Sequence, residues 1–231
     1  MSKRRRSPKT LRYSILAAAA VGGVTLGAGD AQAKPDIVRK GGQWGVLLGG
    51  SACIPGKAKC ARDEINDVTI DGKTRPSFGL AAELGYRINR FVFVGAHYNF
   101  GLFDMQYEVE DATSFKRGYQ NSIYGIVRPI LPAWRFDFGL GLGPGFSRQT
   151  FVLENGDKQY TQGFSWIISP SIDIWVARRV FLGVKADLLF NGHGRSCDKI
   201  GKTVTCPSAA VDRAAPVHQA IFGLHIGGTF L

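Results

Sequence analysis

Between Trp134 and Ser147 the chain alternates with a period of two. Trp134, Phe136, Phe138, Leu140, Leu142 and Phe146 occupy one parity, and Arg135, Asp137, Gly139, Gly141, Gly143, Gly145 and Ser147 the other. Successive side chains of a strand point to opposite faces, so this segment is a ribbon with one bulky apolar face and one polar, roomy face. A soluble barrel would turn its bulk inward. Glycine and opposite charges facing a row of large apolar residues instead suit a closed barrel that is wet or ionic inside and lipid-coated outside. The same glycines superficially match a dinucleotide-binding loop, but that motif must open a helix after a strand, and Phe146 to Phe151 continues as strand.

The N-terminus points to export by an independent route. Lys3, Arg4, Arg5, Arg6, Lys9 and Arg12 precede a small-residue apolar stretch, Tyr13 to Ala28, and Ala31-Gln32-Ala33 offers small residues for a signal peptidase. We therefore read residues 1–33 as a signal peptide and 34–231 as one barrel domain. Ser7-Pro8-Lys9 after the arginine pair argues against twin-arginine export. The whole chain carries 29 Lys and Arg against 18 Asp and Glu; without the leader's six cations and Asp30 the balance is 23 against 17. That mild excess does not call for a nucleic-acid partner. No later stretch is apolar for the 18 or so residues that a membrane helix requires, so a membrane would be crossed by strands.

Eight period-two segments can be read, at about 42–50, 78–88, 91–103, 119–130, 134–148, 162–176, 180–191 and 217–231. Their connections alternate. The stretches 51–77, 104–118, 149–161 and 192–216 are long, whereas Asn89-Arg90, Leu131-Pro132-Ala133 and Ala177-Arg178-Arg179 are tight. Four long loops at one end, with three tight turns and both termini at the other, describe an all-β, eight-stranded antiparallel up-and-down transmembrane barrel, its turns toward the periplasm. Phe78, Leu80, Leu84, Val92, Val94, Trp166, Ile172, Leu182 and Val184 fall on the predicted lipid face. Only 121–128 lacks clean alternation, and Arg128 is placed inside because a charge in lipid costs a few kcal/mol. Pro144 and Pro170 lie within predicted strands, where a missing N–H breaks the ladder. Nearly symmetric about Asn155-Gly156, they are expected to face each other as a shared irregularity near the outer rim.

Phe222, Leu224, Ile226, Gly228 and Phe230 alternate to the end of the chain, which closes on Leu231. This segment resembles the C-terminal signal of bacterial outer-membrane proteins, which commonly ends in an aromatic residue. With eight strands, four loops and a leader, the mature chain resembles the small OmpA-type or OmpX-type barrels. The resemblance is architectural. It implies a location in the cell outer membrane, contact with outer-membrane lipids, the barrel assembly machinery as a partner during biogenesis, and a monomer.

The inward parities collect Glu83, Arg87, Arg128, Arg135, Asp137, Asp173, Lys185 and Asp187, together with His97 and His225. Buried charges must be paired, and eight strands leave room only for side chains, so these residues are expected to form a salt-bridge network rather than to line a wide pore. The function expected is structural or surface interaction, with a small-solute channel, a lipid-modifying enzyme and a secreted lipocalin as alternatives. The enzyme would need a His beside a Ser or Asp near the outer leaflet. His97 is followed by Tyr98-Asn99, His225 by Ile226-Gly227, and His193 and His218 are expected to be solvated in the last loop. The lipocalin reading rests on Gly42-Gln43-Trp44 alone. No catalytic residue, cofactor site or metal spacing is predicted. Lys57, Lys59, Arg62 and Arg75 in the first loop, with Arg195, Lys199 and Lys202 in the last, are enough to contact lipopolysaccharide phosphates. The four cysteines allow three pairings. We expect the local ones, Cys53 with Cys60 and Cys197 with Cys206, because short loops close at least entropic cost, and because an exported location favours disulfides.

Overall fold

A computed structural model describes residues 36–54, 64–65, 68–69, 72–75, 77–107, 115–153, 155–206 and 217–230. The predicted leader 1–33, together with Lys57, Lys59, Cys60, Arg62 and Leu231, lies outside them. Eight long strands follow in order: β1 (Gly41–Cys53), β2 (Ser77–Asn89), β3 (Val92–Tyr107), β4 (Phe115–Ala133), β5 (Phe136–Leu153), β6 (Lys158–Trp175), β7 (Val180–Ile200) and β8 (Gln219–Phe230). Each pairs antiparallel with its sequence neighbours. The first and last also pair, from Gly42 opposite Phe230 to Cys53 opposite Gln219, so the sheet closes into an eight-stranded ring. Closure leaves no edge strand to be satisfied by lipid. Shorter strands decorate the long-loop end, with Glu64–Ile65 against Val68–Thr69, Gly72–Arg75 against β3, and Thr203–Thr205 against β7.

The outer face carries exposed bulk around the ring, for example Leu84 at 59%, Ile123 at 56%, Val184 at 55% and Leu224 at 65%. A belt of this kind belongs in hydrocarbon, and it removes the soluble lipocalin reading. The segment that lacked clean alternation does alternate. Gln120, Ser122, Tyr124, Ile126, Arg128 and Ile130 point inward and are buried, while Ile123, Val127 and Leu131 point out and are exposed. Its pattern is hidden in the sequence because both faces are apolar here.

Three expectations need correction. The β4–β5 turn is Trp134-Arg135 rather than 131–133, with Ala133 paired to Phe136, so Pro132 ends a strand instead of making the turn. The prolines do not face each other: Pro144 lies opposite Trp166 and Pro170 opposite Leu140, in an unbroken β5–β6 register and within the apolar belt. Each opens the ladder on its other side. Pairing lapses between Tyr124–Gly145 and Val127–Leu142 beside Pro144, and between Lys185–Ser171 and Leu188–Ile168 beside Pro170, because proline has no N–H to give. Finally, β3 to β7 run further toward the loops than the alternation indicated, since backbone pairing continues after the period-two alternation of side chains ends.

Cys197 and Cys206 form a disulfide, nine residues apart, at the base of the hairpin in which Asp198–Ile200 pairs with Thr203–Thr205. Cys53 ends β1, and its proposed pairing with Cys60 falls outside the described residues. Since the ring closes through β1 and β8, reducing the Cys197–Cys206 bond should leave the heat-dependent gel mobility of the folded barrel unchanged. Proteolysis at 198–205 should become faster, and loss of the mobility shift would show that the staple supports the barrel itself.

Candidate functional site

The lumen is filled by side chains in layers. Toward the turns lies an ion network built from seven strands, β2 to β8, and the segment before β1. Glu83 accepts two hydrogen bonds from Arg128, at 2.7 Å from Nη1 and 2.5 Å from Nη2, and a third from Lys185 Nζ at 2.6 Å. His97 Nε2 lies 2.8 Å from Asp187 Oδ2, which also accepts from Asn99 Nδ2, while Ser169 donates to Oδ1. His225 Nδ1 lies 2.7 Å from Asp173 Oδ1. Both imidazoles turn their other nitrogen toward Glu83, at 3.4 and 3.6 Å. Nearer the turns, Asp137 accepts from Arg87 at 2.6 Å, from Arg39 at 3.1 Å and from the indole of Trp175 at 2.7 Å.

Charge is balanced within this group. Glu83, Asp137, Asp173 and Asp187 face Arg39, Arg87, Arg128 and Lys185, four carboxylates against four cations, as a buried network requires, and His97 and His225 lie between them. Glycine makes the room: a Cβ at Gly45 would lie 2.6 Å from His225 Nε2 and 2.9 Å from Glu83 Cγ. Seven of the eight charges read from the sequence meet here. Arg135 does not, because β5 begins one residue later at Phe136; its guanidinium instead sits over the Trp134 ring, 5.6 Å from its centre. Arg39, which no period-two pattern covers, joins in its place. Trp175 is also a member, missed because its parity was taken to be polar.

The lumen is also more apolar than its sequence suggests. Leu47, Ala81, Phe93, Tyr124, Ile126, Ile130, Ile167, Leu189 and Ile221 form one buried cluster. Arg128 lies over the Phe93 ring, and Phe181 packs edge-on to Trp175 at 5.3 Å. Further toward the loops comes a neutral polar layer. Asn191 Oδ1 accepts from Ser147 at 2.7 Å and Ser165 at 2.8 Å, its amide donates to Gln120 and to Val217 O, and Tyr124 reaches Ser165 at 2.8 Å. His193 is half-buried rather than solvated. At the register shift before Arg195 it bridges Ser147 Oγ at 2.6 Å and Thr161 Oγ1 at 2.8 Å. His218 accepts from the Asn191 backbone N–H. Beside Arg87, Arg128 and Asp173 one interior void measures about 10 Å³, no more than room for one water.

Beyond the apolar belt, the outer wall of β4–β7 is basic. Ladder partners share a face, so Asn121, Arg148, Gln162 and Arg195 form one outward row just above Phe146 and Phe164. Arg117, Lys158 and Lys199 lie in a second row, four residues further along, with Val152 buried between the first two. Arg148 lies on the Tyr160 ring, 3.8 Å from its centre. Lys158 and Lys199 are direct partners, an arrangement of like charges that is unfavourable without an anion nearby.

No protein-family model matches the sequence, and no curated protein matches it. Solved structures do. The chain resembles small outer-membrane barrels. Neisserial surface protein A is 14% identical over 82% of this chain and 96% of its own, with a TM-score of 0.49. Ail, the attachment invasion locus protein of Yersinia pestis, is 12% identical over 82% and 99%, with a TM-score of 0.40. A second Ail structure, in complex with the heparin analogue sucrose octasulfate, is 11% identical with a TM-score of 0.40. At such identities the likeness concerns the fold alone.

Proposed function

We propose that this chain is an integral protein of the outer membrane, without enzymatic activity, whose barrel holds an interaction surface outside the cell, with lipopolysaccharide as its nearest partner. One observation carries the reading: among the described residues, buried side chains fill the lumen while β4 to β7 run for 18–21 residues, about twice the 9–11 needed to cross a bilayer. The surplus lengthens the wall that carries Arg117, Arg148, Lys158, Arg195 and Lys199. Two arginines flanking Gln162, with Cα atoms about 10 Å apart across two strand spacings, face sideways just beyond the apolar belt, where lipid phosphates would meet them.

A small-solute channel needs a path through the layers of buried side chains described in the lumen, which weighs against it. A lipid-modifying enzyme needs an accessible nucleophile, and the nearest arrangement, Ser147 beside His193, has its serine fully buried and hydrogen-bonded to Asn191. Refolded mature protein in planar bilayers should therefore show no large, steady conductance. Such a conductance would overturn the reading in favour of the channel. Arg148→Gln with Arg195→Gln should lower the lipopolysaccharide retained through purification several-fold, and unchanged retention would remove lipopolysaccharide as the partner.

A further inference from the structure

The opposite end of the barrel carries a second pattern of charge, in its tight turns. Every tight turn holds arginine: Arg90 between β2 and β3, Arg135 between β4 and β5, and Arg178 with Arg179 between β6 and β7. Two of them lie against aromatic neighbours that are themselves exposed. Arg90 sits 4.6 Å from the centre of the Phe91 ring, which is 44% exposed, and Arg135 sits beside Trp134, which is 70% exposed. In the third turn the exposed Val176 precedes the two arginines in sequence. Lys40 adds a further exposed cation, and Asp36 lies 3.9 Å from Arg178.

Trp134 supplies an independent observation. Its φ is 54°, the left-handed region, at the first of two loop residues, where hairpins ordinarily place glycine because a Cβ is disfavoured there. Strain that local chemistry would readily remove marks a side chain held for a purpose. The indole is not packed in the fold. It projects from the turn at the edge of the apolar belt, where an aromatic ring beside a cation suits the boundary between acyl chains and headgroups.

We propose that the turn end binds the headgroups of anionic phospholipids in the leaflet that it faces, with Arg90, Arg135, Arg178 and Arg179 meeting phosphate and Phe91 and Trp134 seated among the upper acyl segments. A soluble polyanion would be served by the arginines alone and gives no role to exposed aromatic rings. The proposal rests on the transmembrane fold and is independent of what the loops bind.

The test uses mature protein refolded into vesicles of phosphatidylethanolamine containing a minor fraction of phosphatidylglycerol, then extracted gently so that retained lipid can be counted. Phosphatidylglycerol should be enriched several-fold over its bulk fraction, and the enrichment should weaken as salt is raised. The variant R90Q/R135Q/R178Q/R179Q, checked for the heat-dependent mobility of a folded barrel, should return to the bulk ratio, whereas R148Q/R195Q should retain most of the enrichment. Trp134→Gly, which suits the backbone at that position, should fold at least as well and still lower the enrichment; Trp134→Phe should keep it. No enrichment in the parent, or enrichment undiminished by the fourfold variant, overturns the proposal. Full displacement of the lipid by inorganic polyphosphate, with Trp134→Gly unchanged, assigns the arginines to a soluble anion instead.

Discussion

Glu83→Ala should destabilise the barrel by about 3–5 kcal/mol, the range for removing one partner of a buried pair. Glu83 joins Arg128 and Lys185 and lies between both histidines, all of them buried. Its loss leaves the lumen with three carboxylates against four cations, buried away from bulk solvent. The measurement is the urea midpoint of the folded band on unheated gels, compared with the parent in the same lipid. Replacing Glu83, Arg128 and Lys185 together by apolar residues of similar volume should cost far less, because then no charge is left alone. If the single and triple variants unfold together, the network contributes packing and nothing electrostatic.

Trp175→Ala should cost about 3–5 kcal/mol, as expected for truncating a fully buried aromatic. The indole is 1% exposed, packs edge-on to Phe181 and donates to Asp137. Trp175→Phe keeps most of the volume and should cost about 1 kcal/mol, since Arg87 and Arg39 still hold the carboxylate. The same urea titration reads both variants. Equal losses would mean that the hydrogen bond, and not the ring, matters at this position.

Strand number, antiparallel order and the lipid-facing parity were legible in the sequence because hydrocarbon imposes a simple demand: every outward residue in the belt must be apolar, and alternation reports it directly. Leu182, Val184 and Leu188 on one parity against Lys185 and Asp187 on the other could hardly be read differently. Inward positions are under a looser rule. Anything that packs or pairs is allowed there, so Phe93, Ile126, Trp175 and Phe181 sit inside beside Glu83 and Arg128, and β4 lost its apparent period.

Strand ends and turns were less legible for a related reason. Above the belt both faces of β6 and β7 meet water or neighbouring chain, so Gln159, Thr161 and Lys199 stay in the ladder without displaying a period. At the turn, Pro132 was a stronger local signal than Trp134, whose left-handed backbone no sequence rule assigns to tryptophan. The sequence by itself determined that this chain makes a ring of eight strands with its bulk outward, since those constraints act residue by residue. Which charges meet, that Arg39 enters the lumen while Arg135 stays in the turn, and that His193 closes onto Ser147 and Thr161 were decided only by the tertiary structure. Those contacts join residues far apart in the chain, and the register and shear of a closed barrel set which of them share a level.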